Sequence, residues 1–80
     1  LATDTIMHIT TYRTRGMERG VAVYDPEDAG AIGDTIERLT DSRPWEAEDG
    51  TLSVECDSPR EARAVAAFLR EYHPIPVHAR

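Results

Sequence analysis

The chain has 80 residues, the size of one small domain, and its 15 acidic residues against nine arginines and no lysine give a formal net charge of −6. No apolar run approaches the roughly 20 residues that a membrane span requires, so we expect no membrane insertion. The acidic excess disfavours direct nucleic-acid binding, because phosphate backbones require cationic partners. The single cysteine, Cys56, excludes an internal disulfide and is compatible with the cytoplasmic location that we predict.

The charge is distributed unevenly along the chain. Residues 1–24 carry +1 (three arginines, two acids), residues 25–57 carry −9 (two arginines, eleven acids) and residues 58–80 carry +2 (four arginines, two acids). We call the middle segment the acidic belt; its main members are Asp28, Asp34, Glu37, Asp41, Glu46, Glu48, Asp49 and Glu55. Such a belt attracts basic surfaces. A GC-rich genome or a salt-adapted host produces the same composition, so the charge alone establishes no function.

The first predicted element is a strand over residues 5–15, where β-branched residues alternate with others. The segment 15–20 then turns the chain into a second strand, GVAVY at 20–24. Asp25 as cap and Pro26 in the first turn predict a helix start. The apolar stripe of that helix is Ala29, Ile32, Ile36 and Leu39. A short strand over 44–48 follows.

The second half repeats this order. The dipeptide Asp49-Gly50 predicts a two-residue hairpin turn into the strand TLSVEC at 51–56. Ser58 and Pro59 predict the start of the second helix. Its stripe is Ala62, Val65, Leu69 and Tyr72, and a strand over 75–79 closes the chain.

The two halves align at an offset of 33 residues, with Val21 matching Val54 and Ile36 matching Leu69. The resulting order βαβ–turn–βαβ predicts an α+β fold: a ferredoxin-like split βαβ sandwich with an antiparallel sheet and both helices on one face, preceded by an extra N-terminal strand. We expect residues 1–15 to form this extension and residues 16–80 one domain of two pseudo-repeats, 20–48 and 51–80. The extra strand has four open placements: replacing the C-terminal strand, adding to an edge, swapping into a dimer or staying loose.

No residue pattern predicts catalysis, a cofactor or a metal. The run DAGAIGD lacks the lysine and the strand-to-turn context of a phosphate loop. His8, His73, His78 and Cys56 lack the paired spacing of zinc ligands. Cys56 is expected to be a small core residue. The marks of RNA-recognition modules, metal chaperones and acylphosphatases are missing, so we predict a non-enzymatic protein.

The side of the sheet without helices is the expected functional face. Alternation predicts that Val21, Val23, Trp45, Leu52, Val54, Cys56 and Val77 face the helices, while Ala22, Tyr24, Glu46, Ser53, Glu55 and His78 face away. The candidate partner-binding residues are Tyr24, Glu46, Glu48, Glu55 and His78.

Three functions remain open from the sequence. The first is an interaction module that binds a protein partner, or a second copy as a homodimer, through the free sheet face or a strand edge. The second is an acidic inhibitor that mimics nucleic acid toward a basic protein. The third is a small-molecule sensor that uses Tyr24, Glu55 and His78.

Overall fold

The computed structural model of the protein describes residues 7–71 and shows an α+β domain with a four-stranded antiparallel sheet and two helices. The elements are β1 (His8–Thr14), β2 (Met17–Tyr24), α1 (Ala29–Thr40), β3 (Trp45–Glu46), β4 (Leu52–Glu55) and α2 (Pro59–Arg70). The predicted strand over 75–79, which includes Val77 and His78, lies outside the described residues, as does Tyr72. Within 7–71, neither helix combines the length and the apolar character that crossing a bilayer requires.

The sheet has the strand order β1-β2-β4-β3, and every neighbouring pair is antiparallel. Strand β2 is bonded to β1 on one side and to β4 on the other. The N-terminal strand therefore lies in the sheet beside β2, and it occupies the place that the last strand has in the ferredoxin-like order. The predicted α+β class with an antiparallel sheet is confirmed.

A two-residue turn joins β1 to β2, since Thr14 pairs with Met17. Arg15 and Gly16 both have positive φ, 57° and 83°, which is the backbone that twisted hairpins favour. The register shifts after Tyr12, which pairs with Gly20, and leaves Arg19 as an extra residue on β2. This bulge turns Arg19 toward the end of β4, where its backbone carbonyl accepts from the Cys56 N–H at 2.7 Å.

The turn between β3 and β4 is longer than the two residues predicted. The Gly50 N–H donates to the Ala47 carbonyl and the Ala47 N–H donates to the Thr51 carbonyl, both at 2.9 Å. Gly50 has a φ of 91°. This is a three-residue loop closed by a glycine bulge, for which Asp49-Gly50 supplies the last two residues rather than the whole turn.

The helix starts agree with the prediction in α2 and differ in α1. Ser58 caps α2 by accepting from the Glu61 N–H, with Pro59 in the first turn. In α1 the cap is Asp28, whose carboxylate accepts from the Ala31 N–H at 3.1 Å. The predicted cap, Asp25, instead has a left-handed backbone with φ 53° and turns the chain out of β2.

One hydrophobic core lies between the helices and one face of the sheet. Its buried members are Ile9, Val21, Val23, Ile32, Ile36, Leu52, Val54, Cys56, Ala62, Val65, Ala66 and Leu69. Leu39 was predicted to belong to the α1 stripe but is 40% exposed near the end of that helix. Ile9 shows that β1 contributes to this core rather than packing outside it.

Candidate interaction surface

The register assigns each strand residue to one side of the sheet. Directly paired residues of neighbouring strands point to the same side, and successive residues of one strand alternate. Ala22 and Trp45 both pair with Ser53, so these three share the side away from the helices. We call this side the open sheet face; its residues are His8, Thr10, Tyr12, Gly20, Ala22, Tyr24, Trp45, Ser53 and Glu55.

The orientation predicted for β3 was wrong at both of its residues. Trp45 lies on the open sheet face, whereas Glu46 pairs with the core residue Leu52 and lies on the helix side. A shift of one residue in the alternation moves every side chain of a strand to the other face, and β3 is too short to reveal its register in the sequence. The placements predicted for Tyr24 and Glu55 on the open sheet face agree with the register.

The centre of the open sheet face is covered by Tyr12, a residue that the sequence did not single out. Its ring lies over Gly20, where a Cβ atom would overlap it, and its hydroxyl shares a hydrogen bond with the Ser53 hydroxyl. Ala22 and Ser53 are consequently buried although both described helices pack against the other side of the sheet. The available signal was the glycine within a strand, which marks a place where another group approaches the backbone closely.

Two rings on either side of this centre remain accessible. Trp45 is 63% exposed and Tyr24 is 41% exposed. The ring of Tyr24 lies 6.0 Å from that of His8, its partner across the strands, with the planes tilted by 31°. Strand spacing and rise place the Cα atoms of Tyr24 and Trp45 about 12 Å apart. We call His8, Tyr24 and Trp45 the aromatic surface.

Glu55 has its charge compensated within the fold. Its carboxylate accepts from the Thr14 hydroxyl at 3.0 Å and lies 3.5 Å from the guanidinium groups of both Arg15 and Arg19. Arg19 also donates to the Cys56 carbonyl at 3.0 Å. Glu55 therefore ties the β1–β2 hairpin to β4 and presents little free negative charge to a partner.

The acidic belt is divided by ion pairs of this kind. Arg43 contacts both Asp34 and Glu37 at 2.9 Å, and hydrogen bonds to these two carboxylates raise the pKa of its guanidinium. With Glu55, three of the eight belt residues are thus paired with arginine. These ion pairs interrupt the negative surface of the belt, whereas a nucleic-acid mimic requires a continuous one.

The unpaired acids concentrate at one end of the sheet. Strand β2 ends and β4 begins there, so the loops 25–28 and 47–51 are neighbours. We call this the acidic end; its exposed carboxylates are Asp25, Glu27, Asp28, Glu46, Glu48 and Asp49, and none of them has an ion pair within the described chain. Hydrogen bonds from Thr51 lower the pKa of Asp49 and keep it ionised.

The three residues expected to form a sensor site do not converge. Tyr24 and Glu55 share the open sheet face, but four residues along the strand and one strand spacing separate their Cα atoms by about 14 Å. His78 lies outside the described residues. Between residues 7 and 71, no group of three or more His, Cys, Asp or Glu side chains is placed to hold a metal ion.

Cys56 is a buried core residue, as predicted. Burial, followed by the negative charges of Glu61 and Asp57, raises the pKa of its thiol to about 11, against the opposing effect of Arg19. The native thiol is therefore expected to react with a disulfide reagent at pH 8 far more slowly than the thiol of the unfolded chain.

The raised pKa of Cys56 also has a consequence for stability. Because the folded-state pKa exceeds the unfolded one, the protonated thiol stabilises the fold fully below about pH 8 and loses this contribution as the pH rises toward 11. Between pH 8 and 10, wild type should lose about 1–2 kcal/mol of unfolding free energy relative to Cys56→Ala, measured by denaturant titration. Parallel pH profiles of the two proteins would contradict the assignment.

Both described sheet edges are protected against pairing with another strand. At the β1 edge, the Arg70 guanidinium donates to the Ile9 carbonyl at 3.1 Å and covers a backbone group that an incoming strand would use. At the other edge, β3 has two residues and follows the buried Pro44. Short edge strands, prolines and charged side chains are devices that disfavour edge pairing.

Comparison of the chain with protein-family models, with curated proteins and with solved structures found no significant match.

Proposed function

We propose that this protein is a small, acidic, non-enzymatic interaction module that binds a protein partner across its open sheet face. The observation that carries the proposal is the aromatic surface. Trp45 and Tyr24 are large exposed side chains on the side of the sheet away from both described helices. Aromatic residues are enriched where protein interfaces have their strongest contacts, because they bury much area and lose little conformational entropy.

The open sheet face is favoured over the strand edges as the docking site. Arg70 protects one sheet edge, and the shortness of β3 protects the other. The rings of Tyr24 and Trp45, in contrast, are exposed beside a part of the sheet that Tyr12 covers and orders. A surface that is already ordered loses less conformational entropy when a partner docks on it. We also propose that the strand order is a variant of the ferredoxin-like split βαβ sandwich in which β1 takes the place of the last strand, and that the protein is cytoplasmic.

Site-specific photo-cross-linking in cells that make the protein naturally tests the docking face. A benzophenone amino acid is placed at position 45, at position 24, or at position 39, where Leu39 is an exposed apolar residue of α1 and serves as control. We expect a discrete adduct from positions 24 and 45, absent from position 39.

An adduct alone does not show that Tyr24 and Trp45 contribute to binding. The partner found in the adduct is therefore produced in pure form. Its affinity for the Tyr24→Ala/Trp45→Ala variant is expected to fall at least about tenfold, since each interfacial aromatic contributes on the order of 1 kcal/mol or more. Leu39→Ala should bind as wild type does. Adducts confined to position 39, or equal affinity for the double variant, would contradict the proposal.

A further inference from the structure

The aromatic surface borders the acidic end. Tyr24 is the last residue of β2 and is followed directly by Asp25, and the loop that carries Glu48 and Asp49 begins two residues after Trp45. Among the described residues, Arg70 reaches this end of the sheet, and its guanidinium donates to the Ile9 carbonyl. The two exposed rings therefore lie close to carboxylates of the acidic end that have no ion pair.

This combination matches a specific kind of ligand group. A cation over an aromatic face is attracted by the ring quadrupole, most strongly over the indole of tryptophan, and arginine is the cation most often found there. Guanidinium groups also pair with carboxylates through two parallel hydrogen bonds while they stack on rings. An exposed indole near the free carboxylates of Glu48 and Asp49 therefore suits arginine better than it suits an apolar or an acidic side chain.

Resting on the proposed function, we infer that the partner segment that docks on the aromatic surface is an extended, arginine-bearing stretch of a protein. Its guanidinium groups stack on Trp45 and Tyr24 and pair with the carboxylates of Glu48, Asp49 and Asp25. The separation of about 12 Å between the two rings' Cα atoms equals about four residues of extended chain, so side chains at positions i and i+4 reach both rings.

Two other occupants fit this surface less well. A second copy of the chain brings the same net charge of −6, so its approach to the acidic end is opposed by electrostatic repulsion. Single-stranded nucleic acid also stacks on sheet aromatics, but it requires a positively charged groove along its backbone, and the aromatic surface borders the acidic end instead.

Trp45 is the single tryptophan of the chain, so its fluorescence reports on this surface alone. The purified protein is titrated with a nonapeptide of alternating glycine and arginine, and in parallel with the same peptide carrying citrulline, lysine or glutamate in place of arginine. We expect the arginine peptide to change the Trp45 emission saturably and to bind at least about tenfold more tightly than the citrulline peptide, which has the same shape without charge.

Variants separate recognition by this surface from attraction by net charge. Asp25→Asn/Glu48→Gln/Asp49→Asn changes the acidic end, and Asp34→Asn/Glu37→Gln/Asp41→Asn makes the same change of net charge on and after α1. The first triple variant is expected to weaken the arginine peptide about tenfold, and Tyr24→Ala, which leaves the charge unchanged, about threefold or more by fluorescence. The second triple variant should bind nearly as wild type does.

Three results would overturn the inference: equal weakening by the two triple variants, equal binding of the citrulline peptide, or tighter binding of an oligothymidylate than of the arginine peptide. The cross-linked partner decides the proposed function separately. If that partner loses affinity for Tyr24→Ala/Trp45→Ala while the arginine peptide does not bind, the docking face stands and only the chemistry inferred for the partner fails.

Discussion

Replacing Leu69 by aspartate is expected to unfold the domain. Leu69 is completely buried in the core, between α2 and the sheet. The substitution removes the apolar packing of a leucine and buries a carboxylate that has no partner. We expect a loss of about 4 kcal/mol or more, comparable to the whole unfolding free energy of a domain of this size. Far-ultraviolet circular dichroism and a denaturant titration measure the outcome.

The chain supplies a matched control in its other helix. Leu39→Asp introduces the same change at a position that is 40% exposed, and it is expected to cost no more than about 1 kcal/mol. Ile36→Asp, one helical turn earlier and buried, should behave as Leu69→Asp does. If Leu69→Asp keeps a cooperative transition near that of wild type, or if Leu39→Asp is equally damaging, the assignment of the core is wrong.

The contrast between Leu39 and Ile36 shows what hydrophobic spacing predicts and what it misses. The spacing identified both helices and the buried members of their stripes, because a helix face has a fixed period. The spacing also predicted that Leu39 is buried in the core. Periodicity shows which face of a helix a residue is on, but not how far the elements packed against that face extend. Leu39 lies in the last turn of α1, and whether another layer covers that turn depends on the tertiary structure.

The capping of α1 illustrates a similar limit for local signals. Asp25 followed by proline and Asp28 three residues later both satisfy the chemistry of a helix cap. The structure uses Asp28 for the cap and Asp25 for a left-handed turn out of β2. In α2 the segment offers a single consistent choice, Ser58 with Pro59, and there the prediction was confirmed.

The candidate surface could be predicted in part. Alternation along β2 and β4 assigned Tyr24 and Glu55 to the open sheet face, because strands with a buried side fix their own register. The two-residue strand β3 has no such pattern, and the error there hid Trp45, the most exposed large hydrophobic residue described. The sequence also could not predict that Glu55 is neutralised, because its ion pair with Arg19 depends on a bulge that turns Arg19 toward the end of β4.

Replacing Gly20 by valine is expected to destabilise the domain even though valine favours strands. At an ordinary strand position the change would be neutral or stabilising by up to about 1 kcal/mol. Here the new side chain would occupy the space of the Tyr12 ring. The ring must then leave the sheet, which breaks the hydrogen bond to Ser53 and uncovers Ala22. We expect a loss of about 2 kcal/mol in the free energy of unfolding.

A double-mutant cycle identifies the cause. In the Tyr12→Ser background the ring is already absent, so Gly20→Val should cost little there or even stabilise the strand, and the coupling between the two sites should exceed about 1 kcal/mol. Additive effects would show that the glycine serves the backbone at the neighbouring bulge rather than the ring. The Tyr12 hydroxyl is bonded to Ser53, which pairs with Trp45. A coupled result therefore also predicts that Gly20→Val weakens docking, although Tyr24 and Trp45 are both retained.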